Sequence, residues 1–311
     1  MKLGIFTDGL LHLGFEAALD KIAELGIQAV EIGTGNFSPA PHCHMDMLLR
    51  DDAALGKFKD AIISRDLEIS ALNCSGNPLH PRAEKGVHDA QVIRDTILLA
   101  ERLGIGRIVL MSGCPGTPTS TDYPNWVTAQ WPEDFIELLN WQWDNRAIPF
   151  WTETAAFAEQ HGVTRLCFEL HPGMLVYNVS SLERLRAAVG PIVGANLDPS
   201  HFFYQRMDAI EIVKALGDAI YYVHAKDARV DARNTAIYGA LDMRFPVPVR
   251  DQTWRYVTLG FGHGAEYWAN FTSALKSVGY DDVLSIEHED VLMEPELAVE
   301  RSVNLLKSVI F

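Results

Sequence analysis

Hydrophobic positions along the chain switch between two periods. Short apolar runs predict strands at Lys2–Asp8, Gln28–Gly33, Ile69–Gly76, Arg107–Gly113, Arg165–Pro172, Val193–Pro199, Ile220–Asp227 and Val283–Asp290. Between them, helical spacing predicts helices at Phe15–Leu25, Ala54–Arg65, Val87–Leu103, Thr152–Gln160, Ser181–Val189, Ala209–Leu216, Tyr267–Val278 and Pro295–Val309. Gly26, Gly104, Gly162 and Gly279 each stand just past a helical pattern, where a left-handed residue ends a helix. Strict alternation implies a parallel sheet with helical crossovers, and eight repeats with nothing left over favour closure into a (β/α)8 barrel, one α/β domain over residues 1–311. The open doubly wound sheet is the rival. It wants a glycine-rich turn after its first strand, and TDGLLHLG is not one.

Three connections exceed the usual short loops: 35–52, 114–150 and 228–264. All follow strands, so all are expected at the C-terminal mouth, where barrels place their sites. The second holds Trp126, Trp131, Trp141 and Trp143, with Trp151 just beyond. These rings could form a platform for a sugar or aglycone, with Trp126 and Trp143 as contacts, or bury against a partner, or pack internally. His42 and His44 sit between prolines in the first connection and are mouth-lining at most. LGFGHG at Leu259–Gly264 reads as a simple turn or, less simply, as a phosphate cradle.

Composition narrows the partners. The chain carries 26 Lys and Arg against 41 Asp and Glu, a net charge of −15, and such a surface repels nucleic acid and anionic membrane. No apolar run is long enough to span a bilayer, and the N-terminal segment, broken by Asp8, His12, Glu16 and Asp20, does not read as a signal peptide. Cys43, Cys74, Cys114 and Cys167 show no CxxC spacing, so a reduced, cytoplasmic protein is expected.

Strands of a parallel barrel are buried on both faces and should be apolar. Four consecutive ones finish instead in ionisable groups: Glu169 in CFELHP, Asp198 in ANLDPSH, His224 in YYVHAKD and Glu287 in LSIEHED. Alternation puts Glu169 with His171, His224 with Lys226, and Glu287 with Glu289 on shared faces. Three carboxylates converging in a low-dielectric mouth repel one another unless neutralised, and a divalent cation is the simplest remedy. Three oxygen ligands and one imidazole suit Mn²⁺ best, with Mg²⁺, Co²⁺ and Zn²⁺ admissible. The alternative is four separate strand-end residues meeting loop amides or arginines.

These four words resemble the metal-binding strand ends of the xylose-isomerase-like barrels, a superfamily of sugar isomerases, epimerases, inosose dehydratases and endonuclease-IV-like enzymes. The resemblance implies that Glu169, Asp198, His224 and Glu287 bind the metal and that Glu169 and Glu287 exchange protons with substrate. The strings GCPGTPTSTDYPNWV, WQWDN and GYDDVLSIEHEDVLMEP are similar to the larger subunit of bacterial C-glycoside deglycosidases, which act on 3-oxo-glucosides beside a small β-rich partner.

The expected chemistry is proton removal beside a sugar carbonyl, with the metal stabilising the developing negative charge. C-glycoside cleavage by elimination is the leading expectation; isomerisation, epimerisation or dehydration use the same chemistry, and a non-catalytic sugar-binding module is the further alternative. His171 is added as a candidate base beside Glu169 and Glu287, or a histidine bonded to a loop carbonyl. His201 and Lys226 are candidate substrate contacts, with carboxylate pairing the alternative for Lys226. The −15 charge and the missing Asp-x-His word after strand seven count against DNA cleavage. A metal-free glycosidase would survive chelation.

Overall fold

Eight parallel strands close into a barrel in the computed structural model, which describes residues 1–311. In chain order the strands are β1 (Lys2–Phe6), β2 (Ala29–Gly33), β3 (Glu68–Asn73), β4 (Arg107–Leu110), β5 (Arg165–Glu169), β6 (Val193–Leu197), β7 (Ile220–Ala225), β8 (Asp227–Val230), β9 (Trp254–Val257) and β10 (Val283–Ile286). Around the barrel they run β1, β10, β7, β6, β5, β4, β3, β2, while β8 and β9 form a separate antiparallel hairpin. The (β/α)8 expectation holds, with the hairpin as an unpredicted addition.

The helices α1 (Phe15–Glu24), α2 (Met45–Arg50), α3 (Asp52–Ile63), α4 (Ala83–Leu103), α5 (Glu133–Gln142), α6 (Ile148–Gln160), α7 (Val179–Val189), α8 (Ser200–Phe203), α9 (Ala209–Leu216), α10 (Ala232–Tyr238), α11 (Ala265–Ser277) and α12 (Pro295–Val309) connect the strands. Their ends are chemically marked. Asp51 and Asp208 accept backbone N–H groups at the starts of α3 and α9, and Asn178 and Ser181 cap α7 reciprocally. Gly104 ends α4 with φ of 74°, as its position in the sequence requires. None of the helices is long and apolar enough to cross a membrane.

Two apolar layers hold the architecture: one between strands and helices, the other inside the barrel floor. In the floor, Ala29, Ala71, Val109, Cys167, Tyr222 and Val283 pack together, and Tyr222 reaches across to Ser70, O to O 2.6 Å. Arg107 seals the base through Asp282 (2.6 Å) and the carbonyls of Ser70 and Tyr221. A ligand can therefore enter only from the opposite, C-terminal end. All four cysteines are buried and free.

Except for β2, which ends at Gly33 as predicted, the barrel strands stop two to four residues short of their predicted C-terminal ends; β10, for one, ends at Ile286 rather than Asp290. Past β3, β4, β6 and β7 the chain leaves the hydrogen-bonded ladder while staying buried, so there the buried pattern outlasts the strand, whereas past β10 Glu289 is exposed. The long connections also carry structure: α2 in the first, α5 and a π-turn at Trp143–Ala147 in the second, the hairpin and α10 in the third. The turn LGFGHG is no phosphate cradle. The N–H groups of Gly260, Gly262 and His263 all donate to Asp227 Oδ2, at 3.2, 3.0 and 2.9 Å, so the chain's own carboxylate fills the nest.

Candidate metal centre

Parallel register brings the strand ends to one level: Glu169 pairs with Asn196 across β5 and β6, and Ser285 with His224 across β10 and β7. Glu169 is the last residue of β5, Asp198 and Glu287 follow the last residues of β6 and β10, and His224 is next to last in β7. One potential ligand atom from each lies within 4.8 Å of the others. Glu169, Asp198 and His224 are at most 3% exposed, and the Glu287 side chain is 12% exposed. The four residues expected from the sequence converge.

Their electrostatics turn on a fifth carboxylate that the sequence reading overlooked. Glu31, in the middle of β2 and fully buried, accepts hydrogen bonds from Asn73 Nδ2 and Ser285 Oγ, both at 2.7 Å. It also receives His224 Nε2, at 3.0 and 2.9 Å from its two oxygens. A carboxylate only accepts, so Nε2 carries the hydrogen and Nδ1 offers its lone pair at the site, where Asn196 Nδ2 approaches it at 3.1 Å. Nδ1 lies 2.9 Å from Glu287 Oε2. Two lone pairs at that distance repel, so a positive charge belongs there, either a proton or a cation.

The protons of neighbouring side chains can supply it. Burial opposes charging His224, yet Glu31 and Glu287 raise its pKa well above the ordinary histidine value. His201 Nε2 lies 2.7 Å from Glu169 Oε1 and 3.2 Å from Asp198 Oδ2. Against the cost of burial, Asp198 and Glu169 push its pKa up to about 9. Lys226 Nζ reaches Glu289 at 3.0 Å, Glu287 at 3.3 Å and Asp198 at 3.8 Å, the carboxylate pairing considered from sequence. Glu287 and Asp198 are held below the usual carboxylate range: burial raises both, but Lys226 and His224 outweigh it at Glu287, and His201 does so at Asp198.

This compensation is incomplete. Asp198 Oδ2 and Glu287 Oε2 are buried without a hydrogen bond, because the cations near them are close but poorly aimed. Two orphaned carboxylate oxygens, a third carboxylate and an imidazole with an inward-facing nitrogen fit a divalent cation.

The remaining expected residues separate. His171 lines the same cavity as Glu169, Glu287, His288 and Glu289, a space of about 320 Å³. Its Nδ1 donates to the Pro172 carbonyl at 2.5 Å, and burial, with His201 and Lys226 nearby, holds its pKa down to about 3. It is thus neutral, as well as bonded to a loop carbonyl. His201 is fully buried, with Nδ1 3.1 Å from the Tyr256 hydroxyl of β9. Trp143 is placed otherwise than expected: 2% exposed, it packs in the core rather than on the cavity wall. Trp126 packs against Met111, Cys114 and Met174, of which Met111 lines the cavity. His42 and His44 line a separate groove beside Phe15 and Phe58.

Barrel and strand-end cluster together define the class. Residues 19–309 match the xylose isomerase-like TIM barrel family, and the chain belongs to it. Among particular relatives, the uncharacterized protein YfiH of Bacillus subtilis (strain 168) is 40% identical over 312 residues, covering 100% of this chain and 99% of that one. The inosose dehydratase of Geobacillus kaustophilus (strain HTA426) is 31% identical over 84 residues, 27% of each chain. The crystal structure of the IolI protein with a bound zinc atom superposes with a TM-score of 0.67 at 20% identity, covering 100% of this chain and 98% of that one.

Proposed function

We propose that this protein is a divalent-metal-dependent enzyme that removes the proton next to the carbonyl of a small polyhydroxylated ketone, with isomerisation, epimerisation or dehydration as the outcome. The observation that carries this reading is the convergence of Glu169, Asp198, His224 and Glu287 within 4.8 Å at the open end of the barrel. Those four residues would hold the cation. Once bound, it would supply a Lewis acid that stabilises negative charge on substrate oxygens. The zinc in the IolI structure supports a bound metal in a protein of this fold without fixing which metal this chain takes.

The protein's own groups divide the remaining work. Glu169, on the cavity wall with His201 against one oxygen, is the base that takes the α-proton. His171, neutral and weakly basic, is better suited to hydrogen-bonding a substrate hydroxyl than to taking a proton from carbon. Tyr256 meets His201 and lies under Lys226 Nζ, 4.2 Å from its ring centre, so the hairpin holds both cations in place.

Cavity size selects among substrates. About 320 Å³ is at the low end for small-molecule sites, matching one sugar or cyclitol ring better than a glycoside with an aryl aglycone. That favours the isomerase, epimerase and dehydratase outcomes over C-glycoside cleavage, which rests on loop words whose Trp143 lies in the core. The test is hydrogen exchange in D2O. With Mn²⁺, the enzyme should wash deuterium into the carbon beside the ketone of an inosose or free ketohexose; chelation or Glu169→Gln should stop it. Undiminished exchange after either change would refute the mechanism.

A further inference from the structure

A second cavity, larger than that of the metal centre, lies between α8, the start of α9, β8 and the turn that leads into α11. It encloses about 700 Å³, well within the range of small-molecule sites, and shares no lining residue with the cavity walled by Asp8, Glu169 and Glu287. Two exposed arginines, Arg206 and Arg229, stand on its wall. Neither guanidinium has a carboxylate within 4.0 Å or donates a hydrogen bond. The one acid on the wall, Asp208, is engaged elsewhere: its Oδ1 accepts the N–H groups of Ile210 and Glu211 at 2.9 and 3.3 Å. In a chain of net charge −15 this wall reverses the prevailing sign.

Both arginines are held at a cost. Arg206 has φ of 62°, a left-handed backbone that glycine adopts freely and a residue with a side chain does not. Arg229 stands directly opposite Arg255 in the β8–β9 pair, and like charges so placed repel. Beside the arginines runs an aromatic wall. Phe203 and His263 stack with ring centres 3.7 Å apart, and Tyr267 stands 4.7 Å from His263. The middle ring is fixed by His263 Nδ1, which donates to Asp227 Oδ1 at 2.8 Å.

We propose that this cavity binds a phosphate monoester whose organic part is a ring. Each guanidinium presents paired N–H donors to an oxyanion, and two of them match a group with two negative charges and three accepting oxygens. A single carboxylate would neutralise one arginine and leave the other. A bare ion would fill a small part of the space and leave the rings uncovered, whereas a cyclic substituent packs against Phe203, His263 and Tyr267. None of these residues takes part in the proton abstraction described above, so binding here stands or falls independently of it.

Calorimetric titration of the Mn²⁺-loaded protein with phenyl phosphate, glucose 6-phosphate and inorganic phosphate tests this. At least one ester should bind about tenfold or more tightly than inorganic phosphate, and the tighter of the two tells an aryl from a sugar ester. Arg206→Gly and Arg229→Gln should each weaken that ester about tenfold or more, the share of a hydrogen bond to a charged group. Glycine suits the backbone at position 206, so Arg206→Gly should melt within a few degrees of the wild type, which separates lost binding from lost folding. Glu287→Gln, which empties the metal centre, should bind the ester as the wild type does. No binding of either ester, inorganic phosphate bound as tightly, or full affinity in both arginine variants would overturn the assignment. Loss of binding in Glu287→Gln alone would also overturn it, placing the phosphate on the metal instead.

Discussion

At the scale of single residues, the site is a contest between charges of opposite sign. Glu31 decides the tautomer of His224, so its effect on the metal is indirect and separable from ligation. Glu31→Gln should weaken Mn²⁺ affinity about 10–100-fold, the range for groups that orient metal-bound histidines. A calorimetric titration checks this, and unchanged affinity would mean that Nδ1 does not depend on Glu31. Glu287→Gln removes a ligand outright and should abolish both metal retention and turnover, measured by elemental analysis after gel filtration and by the exchange assay. The strand-end rule that picked out Glu169, Asp198, His224 and Glu287 also applies to two residues it was not used on. Glu31 interrupts the apolar run QAVEIG, and Asp8 closes the first predicted strand. Both were legible. Their relation to the other four shows only on closure, which sets β1 beside β10 and β2 beside β1 although these strands are far apart in sequence from β5 to β7.

At the scale of elements, the β8–β9 hairpin is what the sequence disguised. The sequence reading ends the seventh strand at Asp227 and takes 228–264 as a connection, and Trp254–Val257 is too short to stand out in that polar, proline-bearing stretch. Only the pairing of the two, Asp227 with Val257 through Val230 with Trp254, reveals them as strands. The hairpin matters because Tyr256 projects from it onto His201 and Lys226. Its anchor is Asp227, which satisfies three backbone N–H groups of the glycine-rich turn and bonds His263 Nδ1 at 2.8 Å. Asp227→Ala should strand these donors at about 1–3 kcal/mol for each one left unsatisfied. Thermal unfolding should shift down by several degrees, and kcat should drop as Tyr256 loses its position. A variant with native stability and native kcat would show that the hairpin is not coupled to the site. The apolar runs of the eight barrel strands, by contrast, are readable throughout, because burial on both faces marks each strand by itself.

At the scale of the whole molecule, the fold concentrates negative charge at its one open end, and stability becomes linked to pH and metal together. In the metal-free protein His201 has a pKa raised from 6.5 to about 9. A raised value contributes stability that is fully present below the unfolded pKa and is lost as pH climbs through the folded one. The chelated protein should therefore lose stability between pH 6.5 and 9. Metal binding has the opposite dependence, because the imidazole of His224 must give up its proton to become a ligand, so affinity grows with pH. The gap in unfolding temperature between loaded and chelated protein should widen steadily over that interval. A constant gap would mean that the site does not exchange protons for metal.

The central claim concerns the place where the cation binds, and anomalous diffraction from crystals grown with Mn²⁺ tests it most directly. The account predicts one strong manganese peak among the carboxylates of Glu169, Asp198 and Glu287 and Nδ1 of His224, with Nε2 of His224 still on Glu31. A strong peak elsewhere in the molecule, or none among these four residues at saturating manganese, would contradict it.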